Sequence, residues 1–220
     1  MKTLIAFLVC GFAIFGSAQQ SVRTFTSPNG LFRLQYSDVL INCMPQQPPT
    51  SPTKSSASEE NQPMVLSPSD SCISQGAICD GPGSEGNALA CFAYPKERFK
   101  DKPHFVAASF YVSEIQSAKT EKECLKGSSD WFVINSKAGM TTINHVSFTT
   151  FEIGDNWAGG GQTGPAYRAF HDEKCYELGI QTVLSRAEYD PGTVKEFTEK
   201  DRSEVEGRLR QALTSFVFLK

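Results

Sequence analysis

The sequence predicts an α+β fold: a central antiparallel sheet, a long C-terminal helix and a short helix packed on it, all stapled by disulfides. Three observations predict it. Short runs with two-residue alternation recur between turn signals, only one substantial stretch has helical spacing, and six of the seven cysteines follow an N-terminal export leader.

The leader opens the chain. Lys2 supplies its positive charge, Leu4 to Phe15 form an apolar run, and Gly16-Ser17-Ala18 offer the small residues a signal peptidase reads, which places cleavage after Ala18. Residues 1–18 therefore read as a signal peptide, residues 19–220 as a single domain, and the destination as secreted or periplasmic. Cys10 lies inside the apolar run, whereas a lipid-bearing cysteine would head the mature chain. The run is too short to cross about 30 Å of hydrocarbon, so no membrane span is expected. A formal net charge of −3 is a mild acidic excess, which argues against capture of nucleic acid or an anionic membrane.

Arg23 to Phe25 and Leu31 to Tyr36 read as strands joined through Ser27-Pro28-Asn29-Gly30, with Phe32, Leu34 and Tyr36 sharing the inward face. Met44 to Ser71 changes character: it holds six of the twelve prolines among serine, threonine and glutamine, and reads as a flexible insertion at 44–71. Cys72 to Asn87 is glycine-rich and reads as a disulfide-pinned loop. Ala88 to Tyr94 and Phe105 to Val112 follow as strands. Thr120 to Lys126 has the composition of a short helix, with Thr120 and Glu123 forming a capping box and Gly127 past its end.

Thr142 to Glu152 alternates as one strand, and Ala166 to Phe170 with Cys175 to Leu184 make a hairpin around His171-Asp172-Glu173-Lys174. Ser203 opens the long helix, with Glu206 completing a capping box and Val205, Leu209, Ala212 and Leu213 on one face. Asp201, Arg202, Glu204, Glu206, Arg208 and Arg210 read as its wet side. Ser215 to Leu219 closes the chain as a strand.

Cys43, Cys72, Cys79, Cys91, Cys124 and Cys175 remain after cleavage, an even number in an oxidising compartment, and read as three disulfides. Sequence alone does not choose the connectivity. Closeness in the chain makes Cys72 with Cys79 a natural small loop, and the reading then joins Cys43 to Cys91 and Cys124 to Cys175. No Cys-x-x-Cys pair occurs and His104, His145 and His171 are scattered, so no metal or other cofactor is expected.

Gly159 to Gly164 satisfies the letters of G-x-G-x-x-G, but Pro165 and a strand follow it where a dinucleotide site needs a helix, so it reads as a mobile connection. An oxidised Cys175 cannot serve His171 as a nucleophile. Glu152 and Asp155 read as solvated carboxylates at a strand end, the alternative being acid–base work on a glycan. Trp131, Trp157 and His171 remain as candidate binding residues.

Several segments carry a resemblance: Phe32-Arg33-Leu34-Gln35-Tyr36, Cys91-Phe92-Ala93-Tyr94-Pro95, Phe105-Val106-Ala107-Ala108-Ser109-Phe110, Glu123-Cys124-Leu125, Tyr167-Arg168-Ala169-Phe170-His171, Cys175-Tyr176-Glu177-Leu178, Pro191-Gly192-Thr193-Val194-Lys195-Glu196-Phe197 and Leu213-Thr214-Ser215-Phe216. Together they resemble exported bacterial proteins of uncharacterised function with a PsbP-like fold. The resemblance implies an α/β sandwich and a non-catalytic binding or assembly role, with no catalytic residue to carry over. The expected function is thus a non-catalytic exported protein that binds a protein partner or small ligand outside the cytoplasm or at the bacterial envelope. The alternative is a secreted hydrolase using His171 or His145 with a nearby acid.

Overall fold

The computed structural model describes residues 21–44, 72, 75–77, 79, 87–126, 133–186, 192 and 194–219. The expected leader at 1–18, residues 45–71 of the insertion, and Trp131 lie outside the described residues.

The first hairpin forms as its turn signal requires. Strands β1 (Val22–Thr26) and β2 (Phe32–Ser37) pair antiparallel around Gly30, whose φ of 70° suits glycine. Alternation along β2 buries Phe32, Leu34 and Tyr36. A larger antiparallel sheet is built from β3 (Ile41–Asn42), β4 (Asn87–Ala93), β5 (Phe105–Glu114), β6 (Val133–Ile143), β7 (Val146–Trp157), β8 (Gly160–His171) and β9 (Lys174–Ser185), in the spatial order β3-β4-β5-β9-β8-β7-β6. Helices α1 (Glu121–Lys126) and α2 (Glu199–Ser215) accompany it, and β10 (Val217–Phe218) joins the outer side of β2.

One face of the large sheet carries the main core. Phe92, Phe110, Val112, Phe148, Leu178 and Ile180 meet Phe32 and Leu34 from the small sheet and Val205, Leu209, Ala212 and Leu213 from α2. The apolar spacing read from the sequence is the buried flank of the helix. Its start, however, lies one turn earlier than Ser203. Thr198 is the N-cap: its hydroxyl accepts from the Asp201 amide at 3.3 Å, and the Asp201 carboxylate accepts from the Thr198 amide at 2.8 Å. Lys102, from the segment before β5, adds an ion pair to Asp201 at 2.5 Å, a partner unavailable to the Ser203–Glu206 alternative. The hydrogen bond from Lys102, then those from the Thr198 hydroxyl and amide, hold the Asp201 carboxyl down at about 2, from an ordinary 3.8. A depressed carboxyl stabilises the fold above its unfolded value and ceases to as pH falls through its folded value. Asp201→Asn is therefore expected to lower stability at neutral pH and to flatten the acid limb of a stability–pH curve between about 4 and 2; an unchanged limb in an acid titration contradicts this.

The expected single strand over Thr142 to Glu152 is broken. Asn144 and His145 form a two-residue turn with φ of 46° and 71°, so β6 ends at Ile143 and β7 begins at Val146. The turn has a second use. The Asn144 side-chain amide donates to the carbonyls of Thr214 and Phe216 at 2.9 and 2.8 Å, which ties the C-terminal end of α2 to the hairpin. Asn144→Gly keeps the turn's positive φ and removes both bonds, and is expected to cost about 1–2 kcal/mol in denaturant unfolding. Ser215 belongs to α2, so the expected closing strand is shortened to Val217–Phe218.

The three bridges are Cys43–Cys72, Cys79–Cys91 and Cys124–Cys175. The expected Cys43–Cys91 and Cys72–Cys79 pairs are thus exchanged, although the two arrangements are neighbours in space. Asn42 pairs with Phe92 across β3–β4, and the Cys43 amide donates to the Cys91 carbonyl at 2.8 Å, so these two residues face each other across the ladder while each is bonded elsewhere. Chain distance chose the short loop; packing placed Cys72 against Cys43 and Cys79 against Cys91.

Candidate functional site

The expected loop from Trp157 to Pro165 is the tip and first half of a β-hairpin. β7 runs into a two-residue turn at Ala158-Gly159, and Gly160 to Pro165 belong to β8, paired with β7 and β9. Close approach explains the glycines better than mobility. A methyl group on Gly164 would meet the Ile180 carbonyl oxygen well inside contact distance, and one on Gly161 would lie 2.6 Å from Asn156 Oδ1. Gly161 therefore leaves room for the Asn156 amide, which accepts from Arg186 Nη2 at 2.8 Å, while the Arg186 amide donates to the Gly159 carbonyl at 3.0 Å.

This clamp builds one wall of a cleft of about 360 Å³, lined by Asn156, Thr163, Thr182, Arg186 and, from the first turn of α2, Arg202 among others. No carboxylate among the described residues lines it, and Glu199 stands 3.5 Å from Arg202 Nε at its edge. A second cleft of about 500 Å³ is more amphipathic, lined by Met140, Thr150, Glu152, Pro165, Tyr167 and Arg210. The register pairs Thr150 with Tyr167, Glu152 with Pro165, Gly154 with Thr163 and Asn156 with Gly161, so residues of both clefts share the face turned toward α2. Arg202 and Arg210 stand about 12 Å apart along the helix axis on one flank, with Glu206 between them, 3.6 Å from Arg210. The two clefts thus flank one side of α2, basic at its N-terminal end and amphipathic toward its C-terminal end.

The residues singled out in the sequence are distributed otherwise. Trp157 is 45% exposed at the hairpin tip, beside Asn156 in the chain, but its indole lies over Gly160 rather than in the basic cleft. His171 stacks on Phe218 with ring centroids 4.0 Å apart, which seats β10 against the β8–β9 hairpin; its Nε2 lies 3.6 Å from the exposed Asp172 carboxylate. His145 is an exposed turn residue. Neither histidine lines a described cleft. Glu152 and Asp155 fall on opposite faces of β7 by its alternation, so they do not form a paired-acid site. Sequence reading assigned Arg202 and Arg210 to the wet side of the helix. The eight-residue interval that puts both on one flank is legible, but nothing local indicates that β7 and β8 stand opposite.

The opposite face of the large sheet carries a buried polar network. Arg168 Nε lies 2.7 Å from Glu177 Oε2, the Tyr111 hydroxyl donates to Glu177 Oε1 at 2.8 Å, and the Arg168 guanidinium stands 5.6 Å from the Phe151 ring centre. All three members are buried.

Fold and bridges together define a mostly antiparallel β protein with two helices and three disulfides among the described residues. No helix among those residues is long and apolar enough to cross a membrane. No family model matches the chain, and no curated protein matches it. Among solved structures, one from Bacteroides thetaiotaomicron VPI-5482 is similar with a TM-score of 0.41 and 11% identity over 90% of this chain; this chain spans 48% of that one, about half its length. The solution structure of cyanobacterial PsbP (CyanoP) from Synechocystis sp. PCC 6803 is similar with a TM-score of 0.39 and 17% identity, over 96% of this chain and 98% of that one.

Proposed function

We propose that this is an exported, non-catalytic binding protein, a sandwich of the PsbP-like type, whose partner docks along the α2 flank through an acidic group held by Arg186 and Arg202. The observation that carries this reading is the composition of the basic cleft: two guanidinium groups line it and no carboxylate of the described residues does, Glu199 standing at its edge 3.5 Å from Arg202 Nε, in a chain with a net acidic charge. Planar donor forks suit carboxylate or phosphate oxygens. The neighbouring cleft offers Met140, Pro165 and Tyr167 to an apolar stretch of the same partner. Trp157, although an exposed aromatic, falls on the other face of β7 from Asn156 by strand alternation and stands outside this surface. Export is supported by the leader-like N-terminus and by three bridges of the kind an oxidising compartment maintains.

A short polyglutamate peptide is the probe. Its binding by calorimetry is expected to weaken with rising salt and to fall at least about tenfold in Arg186→Ala/Arg202→Ala, which corresponds to about 1.4 kcal/mol. Trp157→Ala, on the other face of β7, is expected to leave it unchanged. Equal affinity in the double variant and the unaltered chain contradicts the reading.

A further inference from the structure

We infer that Cys43, Cys79 and Cys91 form an internal disulfide-exchange centre, through which the two bridges they belong to can pass from the observed pairing to Cys43–Cys91 with Cys72–Cys79. The sulfurs of these three residues lie within 4.8 Å of one another although they belong to two different bridges, and Cys72 is bonded to one of them. Cys43 and Cys91 stand opposite across the β3–β4 ladder, joined by the 2.8 Å amide-to-carbonyl hydrogen bond. Directly opposed residues bring their Cβ atoms to about 4.5–5.5 Å, near the separation a bridge needs. The amides of Gln75 and Ala77 both donate to the Cys72 carbonyl, so the chain bends back toward Cys72 before it reaches Cys79. The Cys43–Cys91 half of the second pairing is therefore close to the first in backbone position.

The steps balance without net oxidation. Cys72 is fully buried, so local opening of this cluster admits a small-molecule thiolate, which attacks Cys72 Sγ, forming a mixed disulfide and releasing the Cys43 thiolate. That thiolate attacks Cys91 Sγ, forming Cys43–Cys91 and releasing the Cys79 thiolate. Cys79 then attacks Cys72 Sγ, forming Cys72–Cys79 and returning the external thiolate. All four cysteines are buried among Met44, Ala88 and Ala93. Each step needs a thiolate as the attacking group, so the exchange is favoured by alkaline pH. The Cys124–Cys175 bridge belongs to a separate cluster with Ile115 and takes no part.

Bridge mapping by acid-quenched proteolysis and mass spectrometry tests this on two preparations. In Cys72→Ser the Cys43 thiol has lost its partner, and a Cys43–Cys91 peptide is expected beside Cys79–Cys91; Cys79–Cys91 alone, with free Cys43, overturns the proposal. In the unaltered chain exposed to sub-stoichiometric glutathione at mildly alkaline pH, Cys43–Cys91 and Cys72–Cys79 peptides are expected while Cys124–Cys175 stays intact. Persistence of the original pairs until they are reduced overturns it. If Cys72→Ser does not fold, the second preparation decides.

Discussion

Replacing Cys124 and Cys175 together by serine is expected to lower the unfolding free energy by about 4 kcal/mol, the chain-entropy value for a loop of this length. The bridge spans a sequence separation of 51 and is the covalent tie between α1 and β9. Helix α1 has six residues, far too few to hold together alone. Its capping box is in place, with the Thr120 amide donating to Glu123 at 3.0 Å and the Glu123 amide to the Thr120 hydroxyl at 3.3 Å, but both bonds are exposed. The buried contacts around the bridge are few, chiefly Ile115 with partial cover from Leu125 and Phe170. Urea unfolding of the double variant should show a lower midpoint and weakened amide protection in α1. A loss below about 1 kcal/mol would mean that packing, not the bridge, holds the helix.

Arg168→Met is expected to cost about 3–5 kcal/mol, because it strands the Glu177 carboxylate in the interior. Glu177 is 1% exposed and its other oxygen is already engaged by Tyr111. The penalty belongs to the uncompensated charge rather than to the strength of the pair. Arg168→Met combined with Glu177→Leu should therefore recover much of the loss, and the coupling from a double-mutant cycle should be large. Equal, additive losses from the two single changes would contradict that explanation.

What was legible in the sequence was local. Asn29-Gly30 fixes the first hairpin, alternation assigns Phe32, Leu34 and Tyr36 to the core, and the spacing of Val205, Leu209, Ala212 and Leu213 gives the buried flank of α2. The Thr120–Glu123 box marks α1 by the same kind of short-range rule. The failures have distant causes. Thr198–Asp201 and Ser203–Glu206 both have the spacing of a cap, and Lys102, about a hundred residues away, adds its charge to the first. Asn144-His145 was hidden because alternation continues on both sides of it, and its second role depends on carbonyls at the end of α2. Cysteine pairing among Cys43, Cys72, Cys79 and Cys91 was settled by three-dimensional placement within one cluster, where chain distance has little authority. The basic cleft is assembled from β7, β8, β9 and α2, so its arginines look in sequence like any solvated charge.

Amide chemical-shift mapping with the polyglutamate probe tests most directly the claim that the α2 flank is the binding surface. The account predicts saturable shifts gathered at Asn156, Thr163, Thr182, Arg186 and Arg202, with the Arg168–Glu177 face unmoved. Shifts confined to that opposite face, or none at probe concentrations far above those the calorimetry requires, would contradict it.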